Sequence, residues 1–342
     1  MSKLGQGAYG SVIKRDKLAV KKFAKLSHIV QEQTALYYLD DCDYVVHTKG
    51  VNYDELELSM ELYDMSLRKW IATECQCEKC YNHILRDILY GLIELQDRGL
   101  SHSDIKPGNI LINKKPFKTV LGDCGFVSIA KYSKQQRTAP SHRDLVVEND
   151  DKHDMFSFGI ILLELLYSVK PSVRETYKEY QFIINKKVKN KNHIHLLRNL
   201  LNEDRSLRPC AREVMTLLYH VDPPQWESCY YDVTEIKSNL CKRYTKNKMR
   251  ELEFLLKNSN INRSPRGYKA LLVFLNDNQV DNSDLVYCLI ATMIILSSTF
   301  SQNSVNIHNI VKLCHVKYNK LKIYNFINTM TTHREFVNII FS

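Results

Sequence analysis

The chain has 342 residues, of which 44% are apolar and 25% charged, proportions that exclude a disordered tail or a membrane protein and a length that points to two domains. Its formal charge of +10 is spread out: from residue 223 onward 15 Lys and Arg face 9 Asp and Glu, against 33 and 29 before it. A solvated surface is the ordinary meaning of such an excess, and a nucleic-acid partner is disfavoured because no stretch interleaves basic and aromatic residues as a stacking platform does. The opening MSKLGQGAYG has no apolar run after a basic start. That predicts a cytoplasmic or nuclear protein, not a secreted one, whose ten cysteines stay thiols.

Residues 2 to 23 alternate around a glycine-rich turn, which predicts strand, tight loop and strand. Apolar positions at helical spacing follow in HIVQEQTALYYL, residues 28 to 39. Strand-like pieces come at 43 to 62, then helical patterns at 81 to 99, 152 to 168 and 193 to 219, so a small β-rich lobe precedes a larger helical one. The paired prolines in HVDPPQWESCYYDV mark a linker. From Thr234 the pattern predicts helices at about 235 to 258, 265 to 278, 282 to 300, 304 to 316 and 319 to 331. The most apolar of these, LVYCLIATMIILSSTF, is shorter than the roughly 18 apolar residues of a membrane span, which makes it a buried helix.

Several short stretches carry chemistry. In LGQGAYGSV, residues 4 to 12, Gly5, Gly7 and Gly10 let backbone amides approach phosphate oxygens, although three glycines also suit a plain hairpin turn. The next strand, LAVKKF, offers Lys21 as a cation for phosphates, while Lys22 falls on its opposite, solvated face. Glu32 on the following helix can orient Lys21 as an ion pair, or be an ordinary surface glutamate. Further on, SHSDIKPGNILIN places Asp104, Lys106 and Asn109 in one loop beside an apolar strand, and LGDCGF supplies Asp123.

In this order the segments resemble eukaryotic-type serine/threonine protein kinases of a compact, viral-like kind. The resemblance implies an α+β, bilobal protein kinase fold over residues 1–222, with a small lobe at about 1–62 and a large lobe at 63–222. It also implies transfer of the ATP γ-phosphoryl group to protein hydroxyls, with Mg2+ as cofactor. Carried over position by position, Asp104 accepts the hydroxyl proton, Lys106 neutralises the transferring group, and Asn109 and Asp123 bind Mg2+. Leu4, Gly5, Gly7, Gly10, Val12, Ala19, Lys21, Glu32, Glu61 and Tyr63 belong to the ATP site. The lysine two places after Asp104 is that of the serine/threonine branch. Asp154 anchors the catalytic loop, and Asp144 pairs with Arg208, so His142, Arg143 and Asp144 are structural despite looking like a second catalytic loop. Two residues depart from the family: Cys124 stands where phenylalanine is usual, and Ser103 where many kinases have an arginine that grips a phosphorylated activation segment. A pseudokinase scaffold commonly loses one of Lys21, Glu32, Asp104, Asn109 and Asp123; all five are present.

One cluster lies outside that pattern. CQCEKCYNH places Cys75, Cys77, Cys80 and His83 within nine residues, enough donors for a zinc ion, or else a reduced surface turn. Residues 223–233 form the expected linker and 234–342 an all-α domain, whose helix order resembles a cyclin box; a generic bundle on the large lobe fits equally. The lysine and glutamate with which cyclins grip a kinase's regulatory helix fall at Thr299 and Ile327, so that grip does not carry over. With the phosphate-sensing arginine replaced by Ser103, intramolecular contact of this domain with the kinase lobes is the expected means of holding Glu32 against Lys21.

Overall fold

The computed structural model describes every residue except 1, 8–9, 75–76, 130–140, 143, 145–150, 174–175, 226–232, 259–264, 302–310, 312–317 and 342. Most of the expected linker, most of the expected helix at 304–316, Cys75, Arg143 and much of the segment between Gly125 and Asp144 therefore lie outside the described residues. The chain forms two compact units: Met1–Asp40, His47–Leu62 and Glu227–Ser342 make one, and Asp41–Val46 and Tyr63–Trp226 the other.

The first unit is built on a five-stranded antiparallel sheet. Its strands are β1 (Ser2–Gly7), β2 (Gly10–Arg15), β3 (Leu18–Phe23), β4 (Thr48–Asn52) and β5 (Glu57–Glu61), in the order β1-β2-β3-β5-β4. In β3 Lys21 is buried and Lys22 exposed, as the side-chain alternation of a strand requires. A Cβ on Gly10 would meet the Lys22 carbonyl oxygen, so only glycine lets β2 lie this close to β3.

Helix α1 (Leu26–Tyr38) follows β3. Its buried residues include Gln31, Glu32, Gln33 and Thr34 beside Ile29, Val30, Ala35 and Leu36, so it keeps almost no solvent face. The reason is that α1 is covered twice within this unit: by β3, β4 and β5, and by α11 (Leu285–Leu296), the π-turn Ser297–Ser301, α12 (Lys320–Thr331) and α13 (Arg334–Phe341). The Phe341 ring stacks on Tyr38 with centroids 4.8 Å apart. On the β4–β5 turn the buried Tyr53 hydroxyl lies 3.2 Å from Thr331 Oγ1, and Lys320 pairs with Asp54 at 3.1 Å. The described residues from Val233 onward thus belong to the same compact unit as the small lobe.

The C-terminal helices differ from expectation in two places. The helix expected at 235–258 is two, α8 (Val233–Arg243) and α9 (Lys246–Asn258). The Thr245 hydroxyl accepts the Lys248 amide and caps the second, while the Arg243 guanidinium and the Tyr244 hydroxyl reach across to the carbonyls of Leu275 and Val280. The eight-residue α13 has no counterpart among the helices that the pattern predicts. Helices α10 (Pro265–Asp277) and α11 match their patterns, and α11 is apolar on every side because it is the unit's buried centre. Among the described residues no helix is long and apolar enough to cross a membrane.

The second unit is the helical large lobe. It contains α2 (Leu67–Thr73), α3 (Glu78–Asp97), α4 (Asp151–Tyr167), α5 (Tyr177–Lys187), α6 (Lys191–Leu200) and α7 (Ala211–Tyr219), with sheets β6-β8-β9 (Met65–Ser66, Ile110–Lys114, Phe117–Leu121) and β10-β7 (Ser128–Ile129, Leu100–Ser101). The helical pattern expected over 193–219 is broken into α6, a 3-10 turn at Arg205–Leu207 and α7: Asp204 caps the turn through Ser206, and Cys210 with Glu213 starts a new helix just after Pro209. Arg208 and Asp144 pair with both side chains fully buried. Arg208 also donates to the Asn202 carbonyl and lies over the Phe156 ring. Burial alone would raise the Asp144 pKa, but hydrogen bonds and charge from Arg208 hold it below the usual carboxylate value.

Candidate active site

The catalytic-loop stretch is fixed from below by α4. Asp154, in its first turn, accepts the backbone amides of His102 at 2.6 Å and Ser103 at 2.9 Å. Those two bonds hold Ser103 at a φ of +65°, a left-handed conformation that a serine adopts only under such constraint. The Ser103 hydroxyl contacts Ser101 at 3.0 Å. His102 is wholly buried; its Nε2 faces the Gly122 carbonyl at 3.1 Å and its Nδ1 accepts the Asp104 amide at 3.3 Å. Burial pushes its pKa down to about 4, so the ring is neutral, with the proton on Nε2. The sequence gives no hint of this second anchor, because a histidine's role depends on which carbonyl it meets.

Asp104, only 1% exposed, is held on one side alone. Its Oδ2 accepts Lys106 Nζ at 2.6 Å and Asn109 Nδ2 at 2.7 Å, while Oδ1 is buried with no hydrogen-bond partner among the described residues. Its pKa is raised to about 6, chiefly by burial and in smaller part by the Asp123 charge, which together outweigh the lowering effect of Lys106 and Asn109. A carboxylate with one oxygen locked, the other bare and a pKa near neutrality suits a general base.

Asn109 also donates Nδ2 to the Asp104 carbonyl, which spends its amide nitrogen and leaves its amide oxygen for a cation. Asp123 stands at a φ of +60°, turned by that strained backbone at the end of β9, and the Gly122 amide donates to the Asn109 carbonyl at 2.8 Å. The carboxylate of Asp123 and the amide oxygen of Asn109 are hard oxygen donors of the kind Mg2+ takes. Cys124 is buried and packs, as a residue without chemistry should.

In the other unit, Lys21 Nζ meets Glu32 Oε2 at 2.6 Å, with side chains 8% and 1% exposed. Glu32 is therefore a buried partner and not a surface glutamate. Gly7 pairs with Gly10 across the β1–β2 hairpin, and none of the described residues lies within 4 Å of a Cβ built on Gly5, which leaves room beside the backbone there. Val12 pairs with Lys21 across the sheet, Ala19 is buried, and Leu4 is exposed on β1. Glu61 ends β5 with its side chain 2.8 Å from Lys49, and Tyr63 is half-buried in the second unit.

At the cysteine cluster, Cys77 caps α3 and lies beside Cys80, whereas His83 turns to Asp87 at 3.4 Å. The ligand atoms of Cys77, Cys80 and His83 do not converge as a three-ligand group, and Cys75 lies outside the described residues.

Residues 1–220 match the protein kinase domain family. The chain belongs to that family. This kinase is 30% identical over 244 residues to the membrane-associated tyrosine- and threonine-specific cdc2-inhibitory kinase of Drosophila melanogaster, covering 63% of this chain and 46% of that one. It is 27% identical over 263 residues to the interferon-induced, double-stranded RNA-activated protein kinase of Mus musculus, covering 64% and 50%. With the serine/threonine-protein kinase SBK1 of Danio rerio it shares 27% over 193 residues, covering 48% and 49%. The kinase spans about half the length of these curated relatives.

Proposed function

We propose that this kinase is a serine/threonine enzyme that transfers the γ-phosphoryl group of ATP to a protein hydroxyl, and that its own C-terminal helices keep it in an active arrangement. The observation that carries the reading is Asp104, with one oxygen fixed by Lys106 and Asn109 and the other bare. That bare oxygen takes the proton of the acceptor hydroxyl, and Lys106 stands beside it as the countercharge for the phosphoryl oxygens. Asn109 and Asp123 would hold Mg2+. Lys21, the glycine turn, Leu4, Val12, Ala19, Glu61 and Tyr63 would hold the nucleotide, with Glu32 orienting Lys21. When bound, Mg2+ and ATP supply the transferable group and neutralise charge on its oxygens.

Lys106 supports hydroxyls of serine and threonine, yet one relative is named as tyrosine- and threonine-specific. Phosphoamino-acid analysis of a labelled protein acceptor decides the matter: phosphoserine and phosphothreonine are expected, and phosphotyrosine as the main product would overturn the specificity.

The regulatory part rests on α1. Cover by α11, α12 and α13 holds the helix that carries Glu32, and it does so by packing: Thr299 bonds its own helix at the Ile295 carbonyl and Ile327 is fully buried, so neither offers the grip of a cyclin. Ser103, with its hydroxyl on Ser101, offers no cation for an activation-segment phosphate. Activity without a partner protein and without prior phosphorylation is the consequence.

A further inference from the structure

Phosphotransfer leaves the stretch Cys77-Glu78-Lys79-Cys80 unused. We infer that Cys77 and Cys80 form a dithiol–disulfide couple that hydrogen peroxide oxidises, a modification site on the large lobe separate from the phosphotransfer residues.

The local structure brings the two sulfurs together. Cys77 is the N-cap of the twenty-residue α3, in extended backbone conformation, and Cys80 is in the first turn of that helix. The Cys77 Sγ accepts the Cys80 amide at 3.3 Å, and the two sulfurs are 2.8 Å apart. Small rotations of the side chains separate this pair from a bond of about 2.05 Å. Both residues are half-exposed, so a small oxidant reaches them.

The position also makes one thiol reactive. The α3 amides at the N-terminus favour a negative charge on the capping sulfur, which makes Cys77 the nucleophile and Cys80 the resolving thiol. Two buried cysteines contrast with it: burial pushes the thiols of Cys42 and Cys288 up, away from reactivity.

The chemistry balances with one peroxide. The Cys77 thiolate attacks a peroxide oxygen and breaks the O–O bond, giving a sulfenic acid and a hydroxide that takes up the thiol's proton as water. Cys80 Sγ then attacks the Cys77 sulfur. The S–O bond breaks, the departing hydroxide takes the Cys80 proton, and the S–S bond forms. Two thiols have lost two electrons and one peroxide has become two waters.

The test uses the full chain, reduced, desalted and assayed for zinc, then exposed to hydrogen peroxide and mapped by mass spectrometry without reduction. The expected result is a loss of two hydrogens confined to the Cys77–Cys80 segment and reversed by a dithiol reductant. Cys80→Ser should instead leave Cys77 as a sulfenic acid that a cyclic-diketone probe captures. Cys77→Ser keeps a good capping oxygen, so it folds, and its Cys80 should resist the same exposure. The inference is overturned if both sulfurs remain thiols, if the disulfide formed contains Cys75, or if the isolated chain carries one zinc that peroxide releases. None of these readings depends on phosphotransfer.

Discussion

Asp104→Asn is expected to lower kcat by about 10²–10⁴-fold, the usual share of a general base, while the fold survives. Asparagine keeps the size of the side chain and an oxygen for Lys106 or Asn109, but it cannot take a proton. The stability effect has a definite sign. The folded-state pKa of about 6 lies above the ordinary carboxylate value because the group is buried and faces Asp123. Ionised Asp104 therefore costs stability at pH above about 6, and that cost fades as the pH falls through it. At neutral pH the variant should melt at or above the wild type while being nearly inactive, a separation typical of a strained functional group. In the wild type the same pKa predicts that kcat/KM is sustained above about pH 6 and lost below it, as the base is protonated. A label-transfer assay across pH, paired with thermal melting, checks all three. Equal labelling by variant and wild type would remove Asp104 from the chemistry.

Phe341→Ala is expected to cut phosphotransfer about tenfold or more, although residue 341 is the last but one in the chain. The ring is 2% exposed and stacks on Tyr38, in the last turn of α1. Truncating a buried phenylalanine costs about 3–5 kcal/mol, and α13 packs against both α1 and α10, so part of that loss falls on the hold over α1. A loss of about 1.4 kcal/mol there is already a factor of ten in the population of the held state. Glu32 sits on the same rigid helix, so a looser α1 weakens its bond to Lys21, and the KM for ATP should rise together with the fall in kcat. Tyr53→Phe, which removes the contact with Thr331, should act in the same direction and more weakly, by about 1 kcal/mol. Phe254→Ala is the control, because that ring is exposed. Wild-type turnover in a less stable Phe341→Ala protein would show that the C-terminal helices serve stability alone. Point variants are the right tools: removing residues 227–342 would strip away the helices that pack on α1 and confound activity with folding.

The catalytic half of this arrangement is legible in the sequence because its parts are local. Asp104, Lys106 and Asn109 lie within six residues, and their mutual bonds follow from one loop. Lys21 and Glu32 are eleven residues apart on consecutive elements, so strand alternation and helix spacing allow the pair, and the family resemblance favours it over an exposed glutamate. Asp144 with Arg208 spans 64 positions and follows only from the family resemblance, since no local signal links them. The C-terminal half is less legible. Its helices show in the apolar period, but the break at Thr245 depends on a cap and on carbonyls over thirty residues away. The eight residues of α13 are too few for a period to stand out. That the C-terminal helices hold α1 is an expectation drawn from Ser103 and the family resemblance, and no local pattern shows which residues are covered: Gln31, Gln33 and Thr34 look like a solvent face, yet all three are buried.

The most direct measurement is the rate at which the full chain, stripped of phosphate and confirmed so by mass, labels a protein acceptor from γ-labelled ATP and Mg2+ with no second protein present. A self-sufficient kinase held by its own C-terminal helices predicts transfer at a rate within the ordinary kinase range of about 1–100 s⁻¹. No transfer until a partner protein or a phosphate is supplied would contradict it.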